Sequence, residues 1–249
     1  KKETIKTHNR PNYVRFLAKQ KKKIVLYFHN DPTTMLGSRS ANERIKLVNH
    51  CSKIIFNSNW SKNKFLKNLP INIHNSNKLI VIYQSVDKKK INLKKKEKII
   101  TFVGKLNSSK GYDLFGQAVI KILNKFPEWK ALVIGDEIRE KYDFKHNNLK
   151  ILGFVPHNKV LRHFEKTNIA VVCSRWEEPF GRTSLEASSR GCAVIISNRG
   201  GLPETIKDPI ILKKLNVDEL YKEMKKLILN KKKLINYQKK SLQNFYLDD

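Results

Sequence analysis

Short apolar runs punctuate the chain at nearly regular intervals. Residues 24–28, 53–56, 78–83, 99–103, 131–134, 150–152, 169–173 and 192–196 are rich in Ile, Val, Leu and Phe and end in polar or Gly-containing loops. That is the pattern of short buried strands. Between them lie segments with helical spacing, at 13–19, 38–50, 62–68, 112–125, 158–166 and 184–189. The apolar face of 112–125 is Leu114, Ala118, Ile120 and Leu123. After a short strand near 209–212 comes a basic amphipathic helix, 218–230, with Leu220, Met224, Leu227 and Ile228 on one face, which suits packing against a sheet better than lying on a membrane. Repeated strand and helix alternation predicts an α/β fold with parallel sheets, in which ligands bind at the loops that follow the strands. Residues 5–11 read as a strand end running into a helix with no earlier strand to pair against, so opening strands of the first domain are expected to be missing.

The stretch 169–203, IAVVCSRWEEPFGRTSLEASSRGCAVIISNRGGLP, organises the rest. It reads as strand, polar loop, helix and strand, the size of one βαβ unit. Glu178 opens the loop and Glu186 lies eight positions later in the helix, with Phe180, Gly181, Arg182 and Thr183 between them. Unhindered N–H groups at a helix start can face an anion while carboxylates take hydroxyls, so a phosphorylated polyhydroxyl compound suits both halves. The same residues also fit a capping box, in which Glu186 merely accepts the Thr183 N–H.

Two further strand ends carry candidate chemistry. Gly104-Lys105 to Lys110-Gly111 is a Gly-containing loop with two cations before a helix, able to bind a diphosphate or simply to be solvated. His29, in His29-Asn30-Asp31-Pro32, places an imidazole at the end of a strand, as a site residue or a turn residue. Gly135-Asp136 and Gly153-Phe154-Val155 are strand ends where a glycine lets a ligand approach the backbone, although ordinary turn chemistry is the better account of Gly135.

Composition narrows the classes. The 249 residues are 40% apolar, enough for one large or two ordinary cores. Lys and Arg number 51 against 22 acidic residues, a formal charge of +29, which admits nucleic acid, an anionic membrane or an anionic substrate as partner. The excess is mostly scattered Lys in a chain also rich in Asn and Ile, so base-composition bias can supply much of it. Aromatics are not interleaved with the lysine runs and no RNA or DNA module is present, which argues against a specific nucleic-acid partner. Cys51, Cys173 and Cys192 have no paired or metal-like spacing, and no carboxylate or His cluster suggests a metal, so no metal and no cofactor are expected. No apolar run approaches the ~18 residues of a membrane span, and the N-terminus has no signal-peptide core, which fits a reducing cytoplasm with at most peripheral contact with the anionic inner face of the cell membrane.

Glu-Pro-Phe-Gly at 178–181, Glu186, Gly191 and the Gly200-Gly201-Leu202-Pro203-Glu204 turn resemble the signature of the retaining GT-B glycosyltransferases of family 4, also called group 1. Val103-Gly104-Lys105-Leu106 with Lys110-Gly111 resembles the family's donor-phosphate motif, whose first cation is usually Arg. Gln84-Ser85-Val86-Asp87 is similar to the end of its first domain, with Ser85 where Gly is common. The resemblance implies two Rossmann-like domains facing a cleft, the first truncated. Their expected bounds are 1–87 for the acceptor-side domain, 88–98 for a Lys-rich linker, 99–230 for the nucleotide-sugar domain and 231–249 for a helical tail. It further implies transfer of a hexose-type sugar, with retention, from a nucleotide-diphosphate sugar to a glycan or lipid-linked acceptor in cell-surface glycan or lipopolysaccharide synthesis, without metal. By the same resemblance His29 and Glu178 face the transferred sugar, Lys105, Lys110, Gly181, Arg182 and Thr183 hold the donor phosphates, and Phe154, Val155 and Glu186 meet the nucleoside. Another GT-B enzyme, such as a phosphorylase or sugar-nucleotide epimerase, and a non-enzymatic basic module binding anionic lipid or nucleic acid are the alternatives.

Overall fold

The computed structural model describes residues 3–20 and 22–248. Lys21, which opens one of the lysine runs, and Asp249 lie outside them. The chain forms two compact units, one of residues Lys1–Gln84 with Glu178–Phe180, the other of Ser85–Glu177 with Gly181–Asp249.

The first unit is a four-stranded parallel sheet of β1 (Thr4–His8), β2 (Lys23–Phe28), β3 (Lys53–Phe56) and β4 (Leu79–Val81), in that order. The opening strand therefore does find a partner, in β2, with His8 opposite Tyr27. Helices α1 (Val14–Leu17), α2 (Ala41–His50), α3 (Asn59–Leu66) and α4 (Ile71–His74) make the connections. Period-two alternation in β2 buries Ile24, Leu26 and Phe28 on one face. There Phe28, Phe56 and Phe65 pack with centroids 5.2 to 5.7 Å apart. Two starts differ from expectation because side-chain caps decide them. Ser40 and Glu43 form a full capping box on α2, and Ser58 Oγ accepts from Ser61 N to start α3 three residues before the predicted 62.

The second unit has a six-stranded sheet in the order β10-β9-β8-β5-β6-β7. Its strands are β5 (Glu97–Val103), β6 (Lys130–Ile134), β7 (Leu149–Ile151), β8 (Thr167–Val172), β9 (Ala193–Ile196) and β10 (Ile210–Ile211), and every pairing is parallel. Its helices are α5 (Tyr112–Lys125), α6 (His157–Lys166), α7 (Arg182–Ser189), α8 (Val217–Leu229) and α9 (Lys231–Gln243). The chain starts in the middle at β5, moves outward through β6 and β7, then returns to the other side of β5 with β8. The strand order thus reverses between β5 and β8, the point where a doubly wound sheet opens a crevice beyond the strand ends.

The expected linker 88–98 is ordered against the second unit. Leu93–Lys95 is a helical turn and β5 already begins at Glu97. Lys96 Nζ donates to Phe164 O at 3.0 Å and Thr167 O at 2.6 Å, capping the end of α6, and burial pushes its pKa down. Val86 N bonds Leu247 O, Lys88 N bonds Asp248 Oδ1, and Arg190 Nη1 donates to Asp87 O, so this segment and the C-terminus are parts of the second unit. The expected tail is equally integral, since Leu234 of α9 joins the core and Ser241 Oγ donates to Cys192 O. On α5, Ile120 is half-buried, and Phe115, Val119 and Ile122 complete the inward face. The face of α8 with Leu220, Met224 and Leu227 is buried against the same core. Among the described residues no helix is long and apolar enough to cross a membrane.

Candidate functional site

At the sheet's switch point two loops meet, 104–111 after β5 and 173–181 after β8. They are joined by backbone and side-chain bonds. Arg175 N and Trp176 N donate to Ser109 O at 2.9 and 3.0 Å, and Ser174 Oγ reaches the same carbonyl at 3.1 Å. The Arg175 guanidinium grips Asp113 with two bonds of 2.6 and 2.7 Å and also reaches Ser108 O, the bidentate geometry that favours Arg over Lys. Gly111 lets the loops come this close. It sits at φ 75°, and a Cβ there would lie 2.0 Å from Cys173 O.

Lys105 is exposed and Lys110 half-buried on the first loop. Asn107 orders it, its Oδ1 accepting from Lys110 N and Ser109 Oγ while its Nδ2 donates to Glu137. Glu140 takes Ser108 N at 2.8 Å. Both lysines thus belong to one short, hydrogen-bonded loop ahead of α5.

On the second loop the helix begins earlier than predicted. Gly181, at φ 110°, is the N-cap of α7, and the first helical residue is Arg182, not Ser184. The capping-box alternative for Glu186 is therefore wrong. Its buried carboxylate accepts from Arg182 Nε at 2.7 Å and His157 Nε2 at 2.8 Å instead of closing on Thr183 N. His157, which follows the strand-end stretch with exposed Phe154 and half-buried Val155, ties the start of α6 to Glu186. Arg182 and Glu186 form an i,i+4 ion pair, so the expected phosphate cation and the expected ribose acceptor touch each other. The Gly200-Gly201 turn is held by Glu177, whose Oε2 accepts from Gly200 N at 2.7 Å.

His157, Arg175, Asp113 and Glu177 were not legible as site residues. The first two follow or precede motif positions in sequence, yet only the fold shows what they grip. Glu178 falls with the first unit, in Glu178–Phe180, where Ser58 Oγ donates to Pro179 O and the Tyr83 and Phe180 rings lie 5.8 Å apart. His29 also belongs to the first unit, directly after β2, with Asn57 Nδ2 donating to its carbonyl. Burial and the neighbouring His8 lower its pKa below the usual histidine value. The three cysteines are free and buried, and burial pushes the Cys51 and Cys173 thiols up to about 12, which marks them as packing residues rather than nucleophiles.

The sequence model of the family described as glycosyl transferases group 1 matches residues 84–243, well over half of the chain. An uncharacterized 41.2 kDa protein in the cps region of Klebsiella pneumoniae is 31% identical over 159 residues, which are 59% of this chain and 44% of that protein. Lipopolysaccharide core biosynthesis mannosyltransferase LpsB of Rhizobium meliloti is 28% identical over 129 residues, 48% of this chain and 36% of that one. The chain thus spans less than half the length of these curated relatives. Among solved structures, Anabaena HepE in complex with UDP superposes with a TM-score of 0.80 at 17% identity, covering 99% of this chain and 75% of that one. That likeness shows a shared fold, the GT-B architecture of parallel α/β units. Since the matched segment contains the whole switch-point arrangement of β5 to α7, the chain belongs to the group 1 glycosyl transferases.

Proposed function

We propose that the protein transfers a hexose-type sugar from a nucleoside-diphosphate donor to an acceptor hydroxyl, with retention of the anomeric configuration, in the synthesis of a cell-surface glycan. The observation that carries this reading is the coincidence of the family match with the switch-point crevice, where Lys105, Lys110, the start of α7 and the buried Glu186 lie on adjoining loops. Lys105 and Lys110 would offset the charge that builds on the departing diphosphate, with the N–H groups of Gly181 to Thr183 assisting, a preorganised stabilisation of the leaving group. Glu186 would exchange its bonds to Arg182 and His157 for the ribose hydroxyls, and Phe154 and Val155 would meet the base. The resemblance assigns Glu178 and His29 to the transferred sugar. The UDP complex of HepE and the name of LpsB support a nucleotide donor and a glycan product. With lysines in the cationic role, transfer is expected to need no metal.

Calorimetric titration with UDP-, GDP-, ADP- and TDP-sugars, with EDTA present, tests the donor assignment. Saturable binding of one donor, lost in Glu186→Ala, is the expected result. A folded protein that binds none of them refutes it. In the Lys105→Ala, Lys110→Ala double variant, turnover should fall by two orders of magnitude or more, since one oxyanion-type donor alone is worth about 10²–10³. Retention is read from the anomeric configuration of the product by NMR.

A further inference from the structure

Beside His29 stands a second imidazole that neither the motif reading nor the proposed chemistry uses. His8 is the last residue of β1 and pairs in register with Tyr27 of β2. Side chains at His8, Tyr27 and His29 therefore share one sheet face, opposite the buried row of Ile24, Leu26 and Phe28. The Tyr27 ring stacks on His8 at 4.5 Å and 9°, which holds the His8 ring. His8 Nδ1 and His29 Nε2 are 2.9 Å apart. Their ring planes differ by 3°, and their centroids are 5.2 Å apart. Parallel rings can combine that centroid separation with so short an N···N contact only if they lie edge to edge in nearly one plane. A proton on either nitrogen then points straight at the lone pair of the other.

The backbone of His29 is fixed to match. Its N–H donates to Asn9 Oδ1 at 2.8 Å, with Asn9 itself at φ 52°, and its carbonyl accepts from Asn57. Asn is among the few residues that adopt this left-handed conformation readily. So the residue after His8 holds the main chain of His29, while His8 holds the ring.

We infer that His8 is a positioning residue for His29, the two sharing one bridging proton so that His29 keeps a single ring orientation and a defined protonation at Nδ1. Two neutral imidazoles in this contact carry two N–H groups, one inside the bridge and one outside it. The outer nitrogen of His29 is thus set by the proton His8 gives or accepts, as metal-site histidines are set by the partner of their second nitrogen. Tyr27 stacks on His8, and Arg10 turns to the Asn9 carbonyl. The inference rests on the proposed function only for the consequence of this arrangement, since the arrangement itself belongs to the first unit alone.

Side-chain ¹⁵N NMR of the histidines tests the bridge without any substrate. Wild type is expected to show one slowly exchanging imidazole N–H shared between His8 and His29. His8→Phe should abolish that signal, whereas His8→Gln, whose amide can donate or accept, should restore a hydrogen bond to His29 Nε2. His8 is exposed, so neither variant threatens the core, and the remaining spectrum reports folding. In a transfer assay His8→Phe should lower kcat on the order of tenfold with little change in donor KM, and His8→Gln should recover most of it. Absence of the bridged N–H in wild type, with His29 titrating identically in His8→Phe, overturns the pairing. A bridge with unchanged kcat in His8→Phe overturns the positioning role. Should the wild type transfer no sugar at all, the proposed function fails, and the NMR result decides the pairing by itself.

Discussion

Replacing Gly111 by Ala isolates what joins the two loops of the crevice. The added Cβ would stand 2.0 Å from Cys173 O, 2.9 Å from its carbonyl carbon and 3.0 Å from its Sγ, so backbone rather than a pliable side-chain end must give way. Holding an L-residue at φ 75° costs about 1–2 kcal/mol. Forcing the loop after β8 aside adds about 1–3 kcal/mol, the usual penalty of overpacking. Together the loss is about 2–5 kcal/mol, a sizeable part of the 5–15 kcal/mol typical of a domain. Gly153 provides the control, because it has a similar φ of 68° but no atom within 4 Å of the Cβ position. Gly153→Ala should therefore lose only the conformational part. For a domain of this size each kcal/mol moves Tm by about 2–4 °C, so Gly111→Ala should melt about 4–20 °C below wild type and Gly153→Ala about 2–8 °C below it. Differential scanning calorimetry on the transition of the second unit measures both. Equal shifts for the two variants would refute the argument that loop-to-loop contact, rather than local strain, demands glycine at 111.

Three further outcomes follow from side chains with known partners. Lys96→Met leaves the Phe164 and Thr167 carbonyls without their donor and should cost about 1–3 kcal/mol in chemical denaturation, while Lys94→Met, at an exposed position, should cost almost nothing; equal effects would refute a packing role for Lys96. Glu186→Gln removes the charge that Arg182 and His157 share and should weaken donor binding about tenfold or more by calorimetry, with unchanged affinity arguing against a ribose contact. His29 and His163 both have folded pKa values pushed below 6.5, chiefly by burial, so on acidification the unfolded chain takes up protons before the folded one does. Stability should be intact above about pH 6.5 and decline as the pH falls through the folded values, and His29→Gln should flatten part of that decline in urea titrations at successive pH values.

The strand runs, the helix periods and the loop glycines were all legible because they are local. Alternation in β2, the apolar stripe of α8 and the glycines at 104, 111 and 181 each follow from what neighbouring residues require of the backbone. Helix starts were less so, because whether Ser58 or Gly181 begins a helix depends on one hydrogen bond or one φ angle. Of the site, the Lys105 to Gly111 loop and Glu186 could be picked out by spacing and by likeness to a family motif. Their partners could not, since His157 and Glu186 are 29 positions apart, and Arg175 and Asp113 are 62 apart. Periodicity carries no information about contacts across such distances. The same holds for Lys96, which composition places in a Lys-rich linker and packing places under the end of α6. His8 and His29 are the clearest instance. Each reads alone as a polar residue at a strand end, and only the parallel register of β1 on β2 sets their ring nitrogens 2.9 Å apart.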